Sequence, residues 1–131
     1  MRTSELLYQE LSYKIIGLFY KVHKKLGCGF PEKVYQSALE IELKKENIPF
    51  DKEKEFNVIY ENQITGRFRL DMIIDGKIVI ELKALERLPR VFREQLISYL
   101  KATPYELGFL VNFGTPKLEY VRIIRSKPLS V

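Results

Sequence analysis

Cysteine and histidine are nearly absent from this sequence: Cys28 and His23 stand alone. One thiol cannot close an internal disulfide, so the expected setting is reducing and cytoplasmic. Too few sulfur and imidazole ligands remain for a zinc knuckle or an iron–sulfur cluster. Long hydrophobic runs are missing as well. None approaches the roughly 20 apolar residues of a membrane span, and no membrane partner is expected. The opening residues, MRTSELLYQELSYK, mix charged and apolar side chains without the uninterrupted core of a secretory signal. Repeats, low-complexity tracts and linker-like stretches are absent too, so residues 1–131 read as a single domain, large enough to bury a core without staples.

What is present is an ordinary globular composition, 46% apolar and 30% charged. Lys and Arg number 22 against 17 Asp and Glu, a formal charge of +5. A basic balance favours polyanionic partners through counterion release, but composition of this kind does not by itself single out a nucleic-acid binder.

Periodicity divides the chain. Leu7, Leu11, Ile15, Leu18, Phe19, Val22 and Leu26 recur at helical spacing, which predicts a helix from Ser4 to Leu26, capped by Thr3 or Ser4 and stopped by Gly27. Pro31 suits the first position of a second helix to about Glu46, with Val34, Tyr35, Ala38, Leu39 and Leu43 on one face. The period then changes. Strands are expected at Glu55–Tyr60, Thr65–Ile74 and Lys77–Ala84, with a turn at Glu61-Asn62-Gln63 and a hairpin at Asp75-Gly76. Pro89 opens a third helix to about Ala102, with Phe92, Leu96, Tyr99 and Leu100 inward. Leu107–Phe113 reads as a buried strand and Leu118–Arg125 as an edge strand. The predicted order is ααβββαββ, a mixed α/β domain.

The second hairpin carries the chemistry. Glu81 and Lys83 share a face of an otherwise apolar strand, where charge is costly unless it is paired or bound. Asp71 lies on the preceding strand. A two-residue loop would place Asp71 and Glu81 on opposite faces. Putting Phe68, Leu70, Met72 and Ile74 on one face with Ile78, Ile80 and Leu82 instead requires a loop of odd length or a bulge, such as Ile74-Asp75-Gly76 with Gly76 left-handed. The same register brings Asp71 beside Glu81 and Lys83. Two carboxylates and a lysine fit Mg2+-assisted phosphodiester hydrolysis, which needs hard oxygen ligands and a cation near the attacked phosphate. They equally fit ordinary cross-strand ion pairs on a solvated face.

Gly29-Phe30-Pro31-Glu32-Lys33-Val34-Tyr35 matches the pattern G-x-x-E-x-x-Y. With Val22-His23, Leu26-Gly27, Leu70-Asp71, Glu81-Leu82-Lys83, Gln95, Tyr99-Leu100, Thr103, Gly108 and Asn112-Phe113-Gly114, it resembles the GxxExxY proteins of the PD-(D/E)XK nuclease superfamily along nearly the whole chain. The resemblance implies a restriction-endonuclease-like core, a central mixed sheet of four to five strands flanked by helices. It also implies a Mg2+-dependent nuclease, with Mn2+ able to substitute, acting on nucleic acid, DNA more than RNA. Asp71, Glu81 and the Leu82 carbonyl would hold the ion, and Lys83 would orient the attacking water. Glu32 would complete the acidic cluster. Gln95 and Tyr99, a Q-x-x-x-Y pair, would flank the site. Read from position alone, Glu32 also suits a helix dipole, Gln95 a backbone contact, Tyr35 packing and His23 a structural place. A homodimer is compatible with the sequence, though no residue requires one. A nucleic-acid-binding module without turnover and a protein-interaction domain are the alternatives in other classes.

Overall fold

The computed structural model describes residues 7–125. Its elements follow the expected order: α1 (Gln9–Leu26), α2 (Glu32–Lys45), β1 (Phe50–Tyr60), β2 (Gln63–Ile74), β3 (Ile78–Lys83), α3 (Arg90–Lys101), β4 (Leu107–Asn112) and β5 (Glu119–Ile124). Among the described residues no helix is long and apolar enough to cross a membrane.

Helix α1 buries Ile15, Leu18, Phe19 and Val22, the stripe its spacing predicts. It starts later than expected, because Tyr8 is left-handed (φ 50, ψ 41) and cannot continue a right-handed helix. The expected caps Thr3 and Ser4 lie outside the described residues. Gly27 ends the helix at φ 75, its N–H donating to the His23 carbonyl at 2.8 Å. Pro31 is extended (φ −63, ψ 156), so it caps α2 rather than forming its first turn. Tyr35, Leu39 and Leu43 are buried, whereas Val34 is 37% exposed and leaves the expected face. Asn47, at φ 58, closes α2: its N–H reaches the Lys44 carbonyl, and the Ile48 N–H reaches Leu43.

The five strands form one sheet in the order β1-β2-β3-β4-β5. All neighbours are antiparallel except β3 and β4, which run parallel and are joined through α3. The fold is therefore the mixed, restriction-endonuclease-like α/β architecture. One face of the sheet buries Met72, Ile74, Ile78, Ile80, Leu82, Phe109 and Val111 against α1 and α2. The other buries Ile73, Val79 and Leu110 against Leu96 and Leu100 of α3. Coverage on both sides explains the unbroken apolar runs of β3 and β4. Strand β1 begins five residues before its expected start. It lies at the sheet edge and is exposed along most of its length, so no alternation marks it. Glu61 and Asn62 (φ 46 and 66) make a two-residue turn of the hairpin type, which returns Gln63 to β2.

The β2–β3 loop has odd length, as the apolar pattern requires. Ile74 pairs with Ile78, so the loop is Asp75-Gly76-Lys77, one residue further along than expected, with Asp75 and Gly76 both left-handed (φ 54 and 63). One part of the face assignment is overturned. Phe68 and Leu70 pack on the α3 side with Ile73 and Val79, not beside Met72 and Ile74. Two-residue alternation fails between Leu70 and Met72, where Asp71 lies opposite Glu53. Glu53 has φ 54, which kinks β1 and carries β2 with it.

After β4 the chain packs directly on the segment leaving β3. A Cβ on Gly114 would overlap the backbone of Ala84 and Leu85. Gly114→Ala should lower stability by about 3 kcal/mol, the upper part of the range for overpacking. The readout is a reduced urea midpoint at unchanged slope. An unchanged midpoint would mean that the 84–85 segment can move aside.

Candidate metal centre

The β2–β3 ladder ends at Met72↔Ile80. Beyond it the strands part, and continuation of the register sets Asp71 opposite Glu81. Two carboxylates take over where the ladder stops. Asp71 Oδ2 accepts the Leu82 N–H at 2.8 Å, and Glu81 Oε1 accepts the Asp71 N–H at 3.0 Å. Backbone groups that would lose their partners at the parting are thus satisfied by side chains. The Leu82 carbonyl leaves the strand on the same edge as its N–H, toward this gap.

Glu32, the first residue of α2, completes an acidic trio. Its carboxyl is pushed above the usual range, first by burial and then by the charge of Asp71, with Lys83 opposing. The turn before it is held by Tyr35, whose hydroxyl donates to the Gly27 carbonyl at 2.6 Å and accepts the Phe30 N–H at 3.2 Å. The Tyr35 ring stacks on Phe113 (4.8 Å between centroids, 9° between planes). Tyr35 is therefore a packing residue with a polar handle, and the glycine-to-tyrosine spacing of the motif is what places Glu32. His23 Nε2 lies 2.8 Å from the Thr115 carbonyl, tying α1 to the segment after β4. Cys28 is exposed.

Lys83 reaches the site from the end of β3. Its Nζ rests 4.1 Å from the centroid of the Phe92 ring, a cation–π contact that holds the ammonium without neutralising it. Its carbonyl accepts the Phe113 N–H at 2.8 Å. Two residues further on, buried Asn112 grips the Leu85 peptide at both ends: Oδ1 accepts the N–H at 2.9 Å, and Nδ2 donates to the carbonyl at 3.0 Å. Phe92 and Asn112 were not assigned to the site from sequence. Asn112 could have been, as a polar residue closing an apolar strand within the quoted Asn112-Phe113-Gly114 motif. Tyr99 stacks on Phe68 at 4.2 Å and 6°. Burial, then the charges of Glu81 and Asp71, raise its hydroxyl pKa, so the ring lies within their electrostatic reach. Gln95 stands one turn earlier on α3, exposed, and among the described residues no hydrogen bond joins it to the cluster.

The family model of the PD-(D/E)XK nuclease superfamily matches residues 9–123. The chain belongs to that superfamily. A solved structure titled "Crystal structure of SSO0001" is similar at 29% identity and a TM-score of 0.55, over 76% of this chain. The match spans about half, 52%, of that structure's own chain. No curated protein sequence matches.

PD-(D/E)XK nucleases generally use divalent metals, and the donor set here suits one. Among the described residues no three acidic, histidine or cysteine side chains converge closely enough to enclose an ion alone. A Mg2+ ion does not need that, since it keeps several waters beside one or two carboxylates. The electrostatics also favour a cation. Burial, reinforced by the charge of Asp71, pushes the Glu81 carboxyl up to about 8, against opposition from the Asp71 N–H and Lys83. Asp71 is raised as well, chiefly by burial. Two buried carboxylates side by side therefore retain a proton near neutrality.

Because Glu81 holds its proton more tightly folded than unfolded, metal-free protein should lose stability as pH rises from the ordinary carboxylate range toward about 8. Glu81→Gln keeps an oxygen to accept the Asp71 N–H and removes the charge. Thermal unfolding in chelator should show a flatter pH profile for this variant, and a higher Tm than wild type at about pH 9. A wild type that gains stability over the same range would contradict the assignment.

Proposed function

We propose that this chain is a Mg2+-dependent nuclease of the GxxExxY branch, hydrolysing phosphodiester bonds of nucleic acid in a reducing, cytoplasmic setting. DNA stands ahead of RNA on resemblance alone. The observation that carries the reading is the reciprocal Asp71–Glu81 arrangement at the parting of β2 and β3. Beside it the Lys83 ammonium makes no salt bridge among the described residues.

Asp71, Glu81, the Leu82 carbonyl and Glu32 are the groups that would hold the ion. When bound, such an ion supplies Lewis-acid polarisation of the phosphoryl oxygen and lowers the pKa of water. Lys83 places its positive charge where a phosphate enters, orienting the attacking water and offsetting charge that develops in the transition state. Phe92 keeps that ammonium from collapsing onto the carboxylates. Tyr99 and Gln95, one turn apart on α3, would flank the site and meet substrate there. A module that binds nucleic acid without cutting it would use the same basic and acidic groups, and differs only in turnover.

Purified protein offered single- and double-stranded DNA and RNA should cleave with Mg2+ or Mn2+ and stop in chelator. Asp71→Ala and Lys83→Ala should each reduce the rate by about 100-fold or more. Cleavage that survives both substitutions would overturn the assignment of the site. Salt-sensitive binding without cleavage under every metal would favour the silent module.

A further inference from the structure

Two arginines, Arg90 and Arg93, open α3, and the metal centre makes no use of them. No acidic residue shares that turn. The usual arrangement is the reverse, because the helix dipole opposes a cation at the opening of a helix. Glu10 in α1 and Glu32 in α2 follow the usual rule. The arginines therefore do nothing for the helix that carries them. Arg93 is exposed and makes no salt bridge among the described residues. Arg90 reaches only Glu94, at 3.8 Å with both side chains mostly in solvent, a contact worth little.

What the two arginines share is a groove of about 470 Å³, lined with them by Leu88, Pro89, Leu110 and Val121. The lining holds two cations, no acid and an apolar floor. Glu86 and Glu94, the acids of this segment, lie outside it. Low-dielectric walls of this kind focus the field of the charges they carry. The sheet register ties the floor to the metal centre. Glu81 pairs with Leu110 across β3 and β4, and Leu110 pairs with Val121 across β4 and β5. Adjacent strands lie about 4.8 Å apart, so the floor runs from roughly 5 to roughly 10 Å from the position of Glu81. Lys83 meets the same helix turn: its ammonium rests on the ring of Phe92, the neighbour of Arg93.

We propose that this groove is a second phosphate site, in which Arg90 and Arg93 hold the nucleic-acid backbone away from the scissile bond. Each strand of a duplex advances about 3.4 Å per nucleotide along the axis, so ~10 Å sets the held phosphate about three nucleotides from the ion. Arginine suits the task, since its planar fork bonds two phosphate oxygens at once. Such contacts fix the strand in register and carry no sequence information. They bind substrate and transition state alike. The role of the groove in cleavage rests on the nuclease reading; its hold on phosphate does not.

Titration of labelled single- and double-stranded DNA and RNA oligonucleotides in chelator, repeated across salt concentrations, tests the groove without turnover. Arg90→Ala/Arg93→Ala should weaken duplex binding about tenfold. The slope of log K against log salt should flatten by about two. Arg90→Lys/Arg93→Lys keeps both charges and should keep the slope. Lys101→Ala, at the far end of α3, should change neither affinity nor slope, which separates the groove from net charge. The thermal midpoint of the alanine pair should stay level or rise slightly, as repulsion from the helix dipole is relieved. In Mg2+ cleavage the alanine pair should raise KM about tenfold and leave kcat within about twofold. An alanine pair that binds like wild type, a Lys101→Ala that weakens binding as much, or a wild type that binds no nucleic acid would overturn the groove. Arginine-dependent binding without cleavage would sink the nuclease reading and leave the groove standing. Cleavage by wild type, with binding indifferent to both arginines, would sink the groove alone.

Discussion

Everything distinctive about this molecule follows from the parting of β2 from β3 after Met72 and Ile80. A sheet that opens in its interior leaves backbone N–H and carbonyl groups without ladder partners, and burying them unpaired costs roughly 1–3 kcal/mol each. Here the carboxylates of Asp71 and Glu81 fill the gap, each accepting one of the stranded amides. Structure and chemistry thereby become one constraint. The oxygens that complete the sheet are the oxygens available to a cation, and the burial that makes them rigid also makes their paired charge unfavourable.

The surroundings serve that opening from three directions. Tyr35 locks the turn that brings Glu32 in from α2. Asn112 and Gly114 press the end of β4 onto the segment following Lys83, so the lysine leaves the strand from a fixed backbone. Phe92 and Tyr99 approach from α3, one beneath the ammonium and one beside the carboxylates. The supporting contacts come from α2, α3 and the end of β4, which is why the motif residues are scattered along the chain while the cluster they serve is local.

Much of this is legible in the amino-acid sequence. Met72, Ile74, Ile78, Ile80 and Leu82 have to share a face, and that need alone requires an odd loop and brings Asp71 to Glu81. Helical spacing in α1 and α3 and the apolar runs of β3 and β4 are equally readable, because each buries a face and burial leaves a period. What escapes lacks such a mark. Strand β1 is exposed for most of its length, so Phe50 to Lys54 look like loop. The kink at Glu53 uses a left-handed glutamate, with no glycine to announce it, and it moves Phe68 and Leu70 to the other face. Tyr8 ends the expected helix extension in the same unannounced way. The Phe92 perch depends on a contact between distant elements, and the spacing of Gln95 from Tyr99 does not fix the direction of its exposed side chain, which makes no hydrogen bond to the cluster among the described residues.

If Asp71 and Glu81 hold a divalent ion, that ion competes with the proton they retain. Calorimetric titration of Mg2+ or Mn2+ near neutral pH, repeated in buffers of different ionisation enthalpy, reads that competition directly. Binding should release about one proton per ion, because the ligands must be ionised, and both binding and release should vanish in Glu81→Ala. Ion binding that releases no proton and is indifferent to Glu81, or no binding at all, would contradict the account.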